Sequence, residues 1–405
     1  MKYVVVLGDG MADRKIEKLG FKTCLEAART PNMDALAPHA ELGMFRTVPA
    51  GFKPGSDVAN MSVLGFDPAK YYTGRSPLEA VAMGIELKDT DVTMRANLVT
   101  LTSEGKYEDM VMADYSAGEI TTDEARELIE YLKGRLDGDG LTLYAGISYR
   151  HCLVAANGSA THEFTPPHDI SDRKITAYLP KGEGAEKFLE LMKASYGLLK
   201  DHPINKRRIA EGKNPANSLW LWGEGTKPML ENFESKTGLK GGVISAVDLV
   251  KGIALLADMR FIAVEGATGN YDTNFRGKAL AAADALTDGG LDYVYIHMEA
   301  PDECGHHGDV EHKIYSIERI DSDVVAVLKE RLERAGEDYC MLICPDHPTP
   351  CAIKTHTADP VPYLLYTNVK DLKGGAARYT EDEAQKTGIF LEKGYTLLDR
   401  MLKIK

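Results

Sequence analysis

Cysteine is scarce in this sequence. Six cysteines in 405 residues are too few for a disulfide framework, and none of them forms a CxxC pair. The closest grouping is Cys340, Cys344 and Cys351. We therefore expect reduced thiols and a cytoplasmic protein, because the cytosol keeps cysteines reduced.

Long apolar stretches are also missing. A membrane-spanning helix needs roughly 18 consecutive apolar residues, and no run in the sequence approaches that length. The apolar run at residues 3–7 is too short for the core of a signal peptide and is followed by Gly8-Asp9-Gly10. The sequence therefore predicts no membrane partner.

Positive charge is in deficit. Lysine and arginine total 48 and aspartate and glutamate total 61, which gives a net charge of −13. This balance argues against a general nucleic-acid binder, which needs a basic surface. A phosphate-bearing ligand must therefore be met by a local cluster of cations. The sequence does not determine the oligomeric state.

What the sequence does contain is an α/β pattern at both ends. Residues 3–7 are typical of a buried parallel strand, and Thr30-Pro31 predicts an N-cap and a helix over residues 32–40. Beyond residue 240, strands at 261–264, 293–297, 339–343 and 362–366 alternate with helices at 246–257, 275–286 and 310–334. This alternation is typical of a parallel α/β sheet flanked by helices.

The middle of the chain has a different pattern. Residues 92–101 alternate as a strand does, Thr121 and Glu124 form a capping box, and residues 185–199 predict another helix. We therefore predict a discontinuous α/β catalytic domain from residues 1–91 and 231–405. A smaller α+β domain, residues 92–230, is inserted in it as a substrate-binding unit.

Side chains that ligate metals follow three predicted strands of the α/β domain. Asp9 ends the first strand, and two later strands run into Asp302-x-x-x-His306 and Asp346-His347, with His356 shortly after. Ligands of open α/β sheets bind at the carboxyl ends of strands. Three carboxylates and three histidines there would suit a pair of divalent ions.

Ser56 is the candidate nucleophile. It follows Pro54-Gly55 at a predicted helix start, where a serine is commonly an N-cap. The same position also favours a phosphate group, because the first N–H groups of a helix attract anions. Both roles stay open at this point.

Taken together, these residues resemble the alkaline-phosphatase-like metalloenzymes. Within them the chain resembles the cofactor-independent phosphoglycerate mutases of the shorter archaeal type. The resemblance covers nearly the whole chain and is carried by the stretches TPNMDALA, PGSDVANMSVLGFDP, YYTGRSPLEAVAMGIEL, PDECGHHGD and THTADPVPYLLY.

The resemblance implies a fold, a ligand set and a nucleophile. The fold would be an alkaline-phosphatase-like α/β domain with an inserted smaller domain. Two divalent metal ions would bind, Mn²⁺ in the first place, with Zn²⁺, Mg²⁺ or Co²⁺ as alternatives. Ser56 would carry the phosphoryl group as a transient phosphoserine. One ion would be held by Asp9, Ser56, Asp346 and His347, and the other by Asp302, His306 and His356.

The resemblance also assigns substrate binding to the insert. Family members use arginines and a histidine to bind phosphate and carboxylate, which match the planar guanidinium. The catalytic candidates in the insert are Arg150 and His151. The substrate-binding candidates are Arg75, His168, Asp169, Arg207 and Arg208.

The expected activity is interconversion of 3-phosphoglycerate and 2-phosphoglycerate, an isomerase reaction of glycolysis and gluconeogenesis on a small phosphorylated substrate. A homoserine kinase of the same family, serving threonine biosynthesis, is the alternative. The sequence lacks a G-x-x-x-x-G-K-[ST] motif, but such a kinase could use the same phosphoserine site. A non-catalytic metal-binding protein is a minor alternative.

Overall fold

The chain forms two units, each with its own core, in a computed structural model that describes residues 1–102 and 105–404. The first unit consists of Met1–Tyr72 together with the chain from Met229 onward, and the second is Thr73–Pro228. The first boundary thus lies earlier than the predicted residue 91. The reason is that Ala80, Ile85 and Leu87 form a small hydrophobic cluster with Cys152 and Val154 of the second unit.

The strands follow in chain order. They are β1 (Lys2–Gly8), β2 (Glu41–Phe45), β3 (Val92–Thr102), β4 (Val111–Asp114), β5 (Leu141–Ile147), β6 (Arg150–Ala155), β7 (Ser218–Thr226), β8 (Gly241–Ile244), β9 (Arg260–Phe261), β10 (Tyr293–Met298), β11 (Tyr339–Cys344), β12 (Val361–Thr367) and β13 (Phe390–Leu391).

The α-helices are numbered in the same way. They are α1 (Cys24–Ala27), α2 (Pro31–Leu36), α3 (Ser56–Val63), α4 (Pro68–Tyr71), α5 (Ser76–Ala82), α6 (Thr122–Leu136), α7 (Glu186–Leu199), α8 (Pro203–Ala210), α9 (Phe233–Thr237), α10 (Asp248–Leu256), α11 (Phe275–Thr287), α12 (Ala300–His307), α13 (Val310–Arg319), α14 (Ala326–Arg334), α15 (Glu381–Lys386) and α16 (Thr396–Leu402).

An eight-stranded sheet organises the first unit, in the order β13-β2-β12-β11-β1-β10-β8-β9. The strands β11, β1, β10, β8 and β9 are parallel, whereas β12 is antiparallel to both β11 and β2. The predicted α/β class is therefore confirmed, and the sheet is mixed at one side. Strand β1 is central and apolar, and its side chains from Val4 to Leu7 are completely buried.

Several predicted elements of this unit differ from those observed. The predicted strand at 261–264 is reduced to β9, and the predicted helix 310–334 is interrupted by a π-helical segment, Ile320–Val325. Helix α2 is also shorter than predicted and continues as a 3₁₀ turn, Ala37–His39. Its cap is Asp321 rather than Thr30, because the Asp321 carboxylate accepts from the backbone N–H groups of Asn32 and Met33.

An antiparallel sheet organises the second unit. Strand β3 pairs with β7 along one edge and with β6 and then β4 along the other, and β5 pairs with β6. The unit's main core contains side chains from α6 and α7, such as Leu128 and Phe188. Thr121 caps α6 as predicted, but the Glu124 carboxylate binds Arg207 and Arg208.

Candidate active site

The carboxyl ends of three neighbouring parallel strands bring the predicted metal ligands of the first unit together. Asp9 directly follows β1, Asp302 lies in the first turn of α12 just after β10, and Asp346 follows β11. Strand β1 pairs with both β10 and β11 in parallel register, so these three ends share one edge of the sheet. The sequence-based expectation of converging strand ends holds for this unit.

Asp302, His306 and His356 form one group of convergent donors. The i,i+4 spacing on α12 places His306 Nε2 3.2 Å from Asp302 Oδ2. His356 Nε2 lies 3.4 Å from Asp302 Oδ1 and 2.8 Å from His306 Nε2. Two imidazole nitrogens and a carboxylate therefore point at a common position.

Asp9, Asp346, His347 and Ser56 form the adjacent group. His347 Nε2 lies 3.1 Å from Ser56 Oγ, 3.5 Å from Asp9 Oδ1 and 3.4 Å from Asp346 Oδ2. His347 and both aspartates are essentially inaccessible to solvent. The ligand atoms of Asp302, His347 and His356 also lie within 4.8 Å of one another, so His347 stands between the two groups.

Burial and mutual repulsion shape the charges of these side chains. The pKa of Asp9 is raised well above its usual value by burial and by the neighbouring Asp346 and Asp302 carboxylates. Burial raises the pKa of Asp302 as well, but hydrogen bonds from His306 and His356 outweigh it and bring this pKa well below its usual value. The Asp302 carboxylate raises the pKa of His306 to about 9. Cations are therefore favoured at this edge of the sheet.

The first turn of α3 presents Ser56 to this group. Gly55 is the residue that precedes the helix, and Ser56 is its first helical residue. The Ser56 hydroxyl contacts His347 Nε2 instead of capping the helix, so the structure removes the N-cap interpretation. The Asn60 amide, one turn later, donates to both Ser56 O and Asp346 Oδ2 at 2.8 Å and ties α3 to the carboxylate.

Four residues at this edge were missed by the sequence analysis. They are Asn60, His297, Tyr295 and Thr349. His297 Nε2 lies 2.9 Å from Asp9 Oδ2, and burial lowers the pKa of His297 to about 3, so its ring is neutral. Tyr295 donates to Asn60 Oδ1 at 2.6 Å. Polar residues at alternate positions of an otherwise apolar strand are the signal that could have indicated Tyr295 and His297.

The donor sets fit divalent metal ions. Within the described residues, the buried Asp9 Oδ1 atom has no hydrogen-bond partner, although a buried carboxylate oxygen normally has one. The ligand atoms of Asp9, His297 and Asp346 lie within 4.8 Å of one another, as do those of Asp302, His347 and His356. Carboxylate and imidazole ligands of this kind suit Mn²⁺ and Zn²⁺.

The second unit contains a cluster of three arginines and a histidine, which we call the arginine cluster: Arg75, Arg95, Arg150 and His168. Arg75 Nε and Arg95 Nε lie 2.8 Å and 2.9 Å from the two carboxylate oxygens of Glu79. Burial raises the pKa of Glu79, but the charges of Arg95, Arg75 and Arg150 outweigh it and lower this pKa. Two guanidinium groups therefore pair with one carboxylate, and the charge of Arg150 also acts on it.

An aromatic ring supports this cluster. The guanidinium carbon of Arg95 lies 4.2 Å from the centroid of the Trp222 ring. The His168 ring packs edge-on against the same indole, with the two ring centroids 5.2 Å apart. His168 Nε2 also pairs with Asp169 at 3.7 Å. The structure thus brings four of the predicted residues, Arg75, Arg150, His168 and Asp169, to one region. Arg95 was missed, and its signal was an arginine within a strand of buried residues.

His151 and Arg150 do not share a face of the sheet. Successive residues of a strand point to opposite sides, and β6 pairs His151 with Ala96 but Arg150 with Asn97. The His151 ring is buried, accepts from Gly146 N at 3.0 Å, and has its pKa lowered to about 3 by burial and by Arg150. Its other nitrogen, Nε2, is buried and has no hydrogen-bond partner among the described residues, so a catalytic role for His151 stays a prediction.

Arg207 and Arg208 lie at a different place from the arginine cluster. Arg208 is buried and donates to Glu124 Oε2 at 2.6 Å, to Ala117 O at 2.7 Å and to Asn214 O at 2.8 Å. Arg207 donates to Glu124 Oε1 at 2.7 Å. The contacts of Arg208 are those of a side chain that holds loops to α6, because its donors meet protein acceptors.

Comparisons with known proteins identify the family. A family model described as 2,3-bisphosphoglycerate-independent phosphoglycerate mutase matches residues 37–205. A protein of Geobacter sulfurreducens named as a probable mutase of this kind is 51% identical over 402 residues, 99% of this chain and 100% of that protein. The chain belongs to the 2,3-bisphosphoglycerate-independent phosphoglycerate mutase family. A mutase of Methanosarcina mazei is 48% identical over 404 residues, with both chains fully covered.

Solved structures agree with this assignment. The superposition on the cofactor-independent phosphoglycerate mutase of Thermoplasma acidophilum covers 100% of both chains, with 25% sequence identity and a TM-score of 0.68. The PH0037 protein of Pyrococcus horikoshii covers 99% of this chain and 96% of its own at 30% identity, with a TM-score of 0.82. The family and the mutase activity expected from the sequence are confirmed.

Two further expectations concern membrane-spanning helices and cysteines. Within the described residues, none of the helices combines the length and the apolar character that crossing a bilayer requires. All six cysteines are described, and each is buried and free of a disulfide.

Proposed function

We propose that the chain interconverts 3-phosphoglycerate and 2-phosphoglycerate through a phosphoserine at Ser56, with two divalent ions, Mn²⁺ in the first place. The observation that carries this proposal is the contact between Ser56 Oγ and His347 Nε2 at 3.1 Å, inside a buried group of carboxylates. The hydroxyl is not used as a helix cap, so it is available as a nucleophile.

Seven side chains would hold the two ions. Asp9, Ser56, Asp346 and His347 would bind one ion, and Asp302, His306 and His356 would bind the other. Bound ions would lower the pKa of the Ser56 hydroxyl and neutralise the oxygens of a phosphoryl group. The chain's own residues keep the site in order, because Asn60 fixes both the Ser56 carbonyl and the Asp346 carboxylate.

The reaction consists of two phosphoryl transfers. In the first, Ser56 Oγ loses its proton and forms a bond to phosphorus while the bond from phosphorus to the 3-oxygen of the substrate breaks and that oxygen takes up a proton. In the second, the 2-hydroxyl of the retained glycerate loses its proton and bonds to phosphorus, while the bond from phosphorus to Ser56 Oγ breaks and Ser56 regains its proton. No phosphate is gained or lost, so the overall reaction is an isomerisation.

The arginine cluster of the second unit would bind the anionic groups of the substrate. The guanidinium groups of Arg75 and Arg95 at Glu79, together with that of Arg150, would supply the local positive charge that an acidic protein needs for such a ligand. Arg150 is the most exposed of the three arginines and stacks on Tyr149 at 5.1 Å. Guanidinium groups match the planar carboxylate of glycerate.

The test is a comparison of substrates on the metal-loaded protein. Chelator-treated chain reloaded with Mn²⁺ is expected to convert 3-phosphoglycerate to 2-phosphoglycerate, and to release no ADP from ATP with homoserine. ADP formation that depends on homoserine, with no conversion of phosphoglycerate, would instead support the kinase alternative.

The covalent step has its own test. Ser56→Ala is expected to lose transfer by several orders of magnitude while it binds Mn²⁺ and keeps its fold. Ser62→Ala is the matched control, since Ser62 lies in the same helix and donates to Thr47 O away from His347. Mass spectrometry of acid-quenched wild-type enzyme should find phosphate on Ser56. Full activity of Ser56→Ala would refute the phosphoserine.

A further inference from the structure

Thr349 links the two groups of the candidate metal site, and neither the sequence motifs nor the proposed reaction uses it. Its side chain is completely buried. Its hydroxyl hydrogen-bonds to Asp302 Oδ1 and lies 3.3 Å from His347 Nδ1. One hydroxyl therefore contacts a carboxylate of one group and an imidazole of the other.

The chemistry of these partners determines the direction of both bonds. A hydroxyl has one hydrogen to donate, and an ionised carboxylate can only accept. Thr349 therefore donates to Asp302, and it can interact favourably with His347 only by accepting from Nδ1–H. In a neutral imidazole this leaves the lone pair on Nε2. Nε2 is the atom that points at Ser56, Asp9 and Asp346.

A buried lysine, Lys313, fixes the backbone of Thr349 by a hydrogen bond to its carbonyl oxygen. Lys313 Nζ donates to Thr349 O at 2.8 Å and to Asp13 Oδ2 at 2.9 Å, and both side chains of this ion pair are fully buried. A buried ammonium that binds a carboxylate and a carbonyl holds both firmly, because leaving it unpaired costs several kcal/mol. The Thr349 carbonyl is therefore held in a fixed position close to the candidate metal ligands.

Two glycines hold Thr349 against the metal-binding segments. A Cβ atom on Gly305, which lies on α12 between Asp302 and His306, would stand 2.4 Å from Thr349 O. A Cβ atom on Gly10, whose φ is +60°, would stand 2.6 Å from Thr349 Oγ1. The close approach of these three segments therefore depends on glycine at positions 10 and 305. The close packing restricts the movement of the Thr349 side chain.

We propose that Thr349 is a positioning residue that sets the tautomer of His347 and the orientation of Asp302 for metal binding. The inference rests on the proposed metal-dependent function and adds to it a residue that touches neither ion. Groups that orient metal ligands in this way typically contribute 10–100-fold to metal affinity.

The experiment removes the hydroxyl without changing the shape of the side chain. Thr349→Val keeps both branches, and Thr349→Ser keeps the hydroxyl as the matched control. Isothermal titration with Mn²⁺ of the chelator-treated proteins is expected to show affinity about 10–100-fold weaker for valine. Serine is expected to stay within about threefold of wild type. Thermal unfolding of the metal-free variants checks their folding, and Thr349→Ala replaces valine if valine does not fold.

A second measurement does not require metal. In the metal-free protein, ¹⁵N NMR of the histidine rings, assigned with His347→Gln, should show His347 protonated at Nδ1 in wild type and in Thr349→Ser. This preference should weaken in Thr349→Val. Unchanged Mn²⁺ affinity together with an unchanged tautomer in valine would overturn the inference and leave the metal site intact. Absence of Mn²⁺ binding by the wild type would overturn the proposed metal site itself.

Discussion

At the scale of single residues, the second unit is distinguished by three arginines that lie close together. Arg75, Arg95 and Arg150 come from a helix start and two different strands. Arg75 and Arg95 pair with the Glu79 carboxylate, and the charge of Arg150 acts on it. In the proposed reaction, this arrangement would bind the anionic groups of the substrate.

Arg150→Ala is expected to lower kcat/KM for 3-phosphoglycerate by about 10–100-fold, because a charged hydrogen bond to the substrate contributes roughly 1.5–3 kcal/mol. Arg207→Ala is the matched control, since Arg207 is also exposed but pairs with Glu124 at 2.7 Å. Steady-state kinetics of both variants gives the comparison. Equal losses in the two variants would show that Arg150 has no special role in substrate binding.

At the scale of elements, the first unit relies on contacts between segments that are distant in sequence. Asp321 lies in the π-helical segment Ile320–Val325, and its carboxylate accepts from Met33 N at 2.7 Å and from Asn32 N at 3.2 Å. The start of α2 is therefore capped by a residue 289 positions away in the chain. Thr30, the local candidate, contacts Asp34 Oδ1 at 3.4 Å.

Asp321→Ala is expected to reduce the free energy of unfolding by about 2 kcal/mol, since it leaves buried N–H groups of α2 without an acceptor. Thr30→Val should cost less than about 1 kcal/mol, because it keeps the shape of the side chain and removes only a weak hydrogen bond. Denaturant unfolding followed by circular dichroism measures both. A larger loss of stability for Thr30→Val than for Asp321→Ala would show that Thr30 is the cap of α2.

At the scale of the whole molecule, the two units have separate hydrophobic cores, and the candidate metal ligands all belong to the first. The sequence has two tryptophans, Trp220 and Trp222, and both lie in the second unit. Tryptophan fluorescence therefore reports on the second unit, whereas circular dichroism reports on both.

Mn²⁺ at about 100 times its dissociation constant is expected to stabilise the first unit by about 2.7 kcal/mol, because the ions bind only the folded ligand set. The midpoint of unfolding followed by circular dichroism should rise more than the midpoint followed by tryptophan fluorescence. The metal-free protein is the reference. Equal shifts of both midpoints would contradict separate unfolding, and no shift in either would contradict metal binding.

Much of this protein was determined by its sequence alone. The apolar run of β1 and the strand–helix alternation after residue 240 predicted the α/β class, because a strand buried on both faces needs continuous apolar residues. The motifs Asp302-x-x-x-His306 and Asp346-His347 were found for a similar reason. Helical spacing and strand ends are local properties, so a sequence can show them directly.

The tertiary structure decided what depends on separate segments meeting. It replaced Thr30 by Asp321 as the cap of α2 and engaged Arg208 with Glu124. It also added Arg95 to the arginine cluster and Thr349 to the candidate metal site. These roles depend on which side chains face each other across strands and loops, and hydrogen bonds between residues hundreds of positions apart leave no periodic pattern in the sequence.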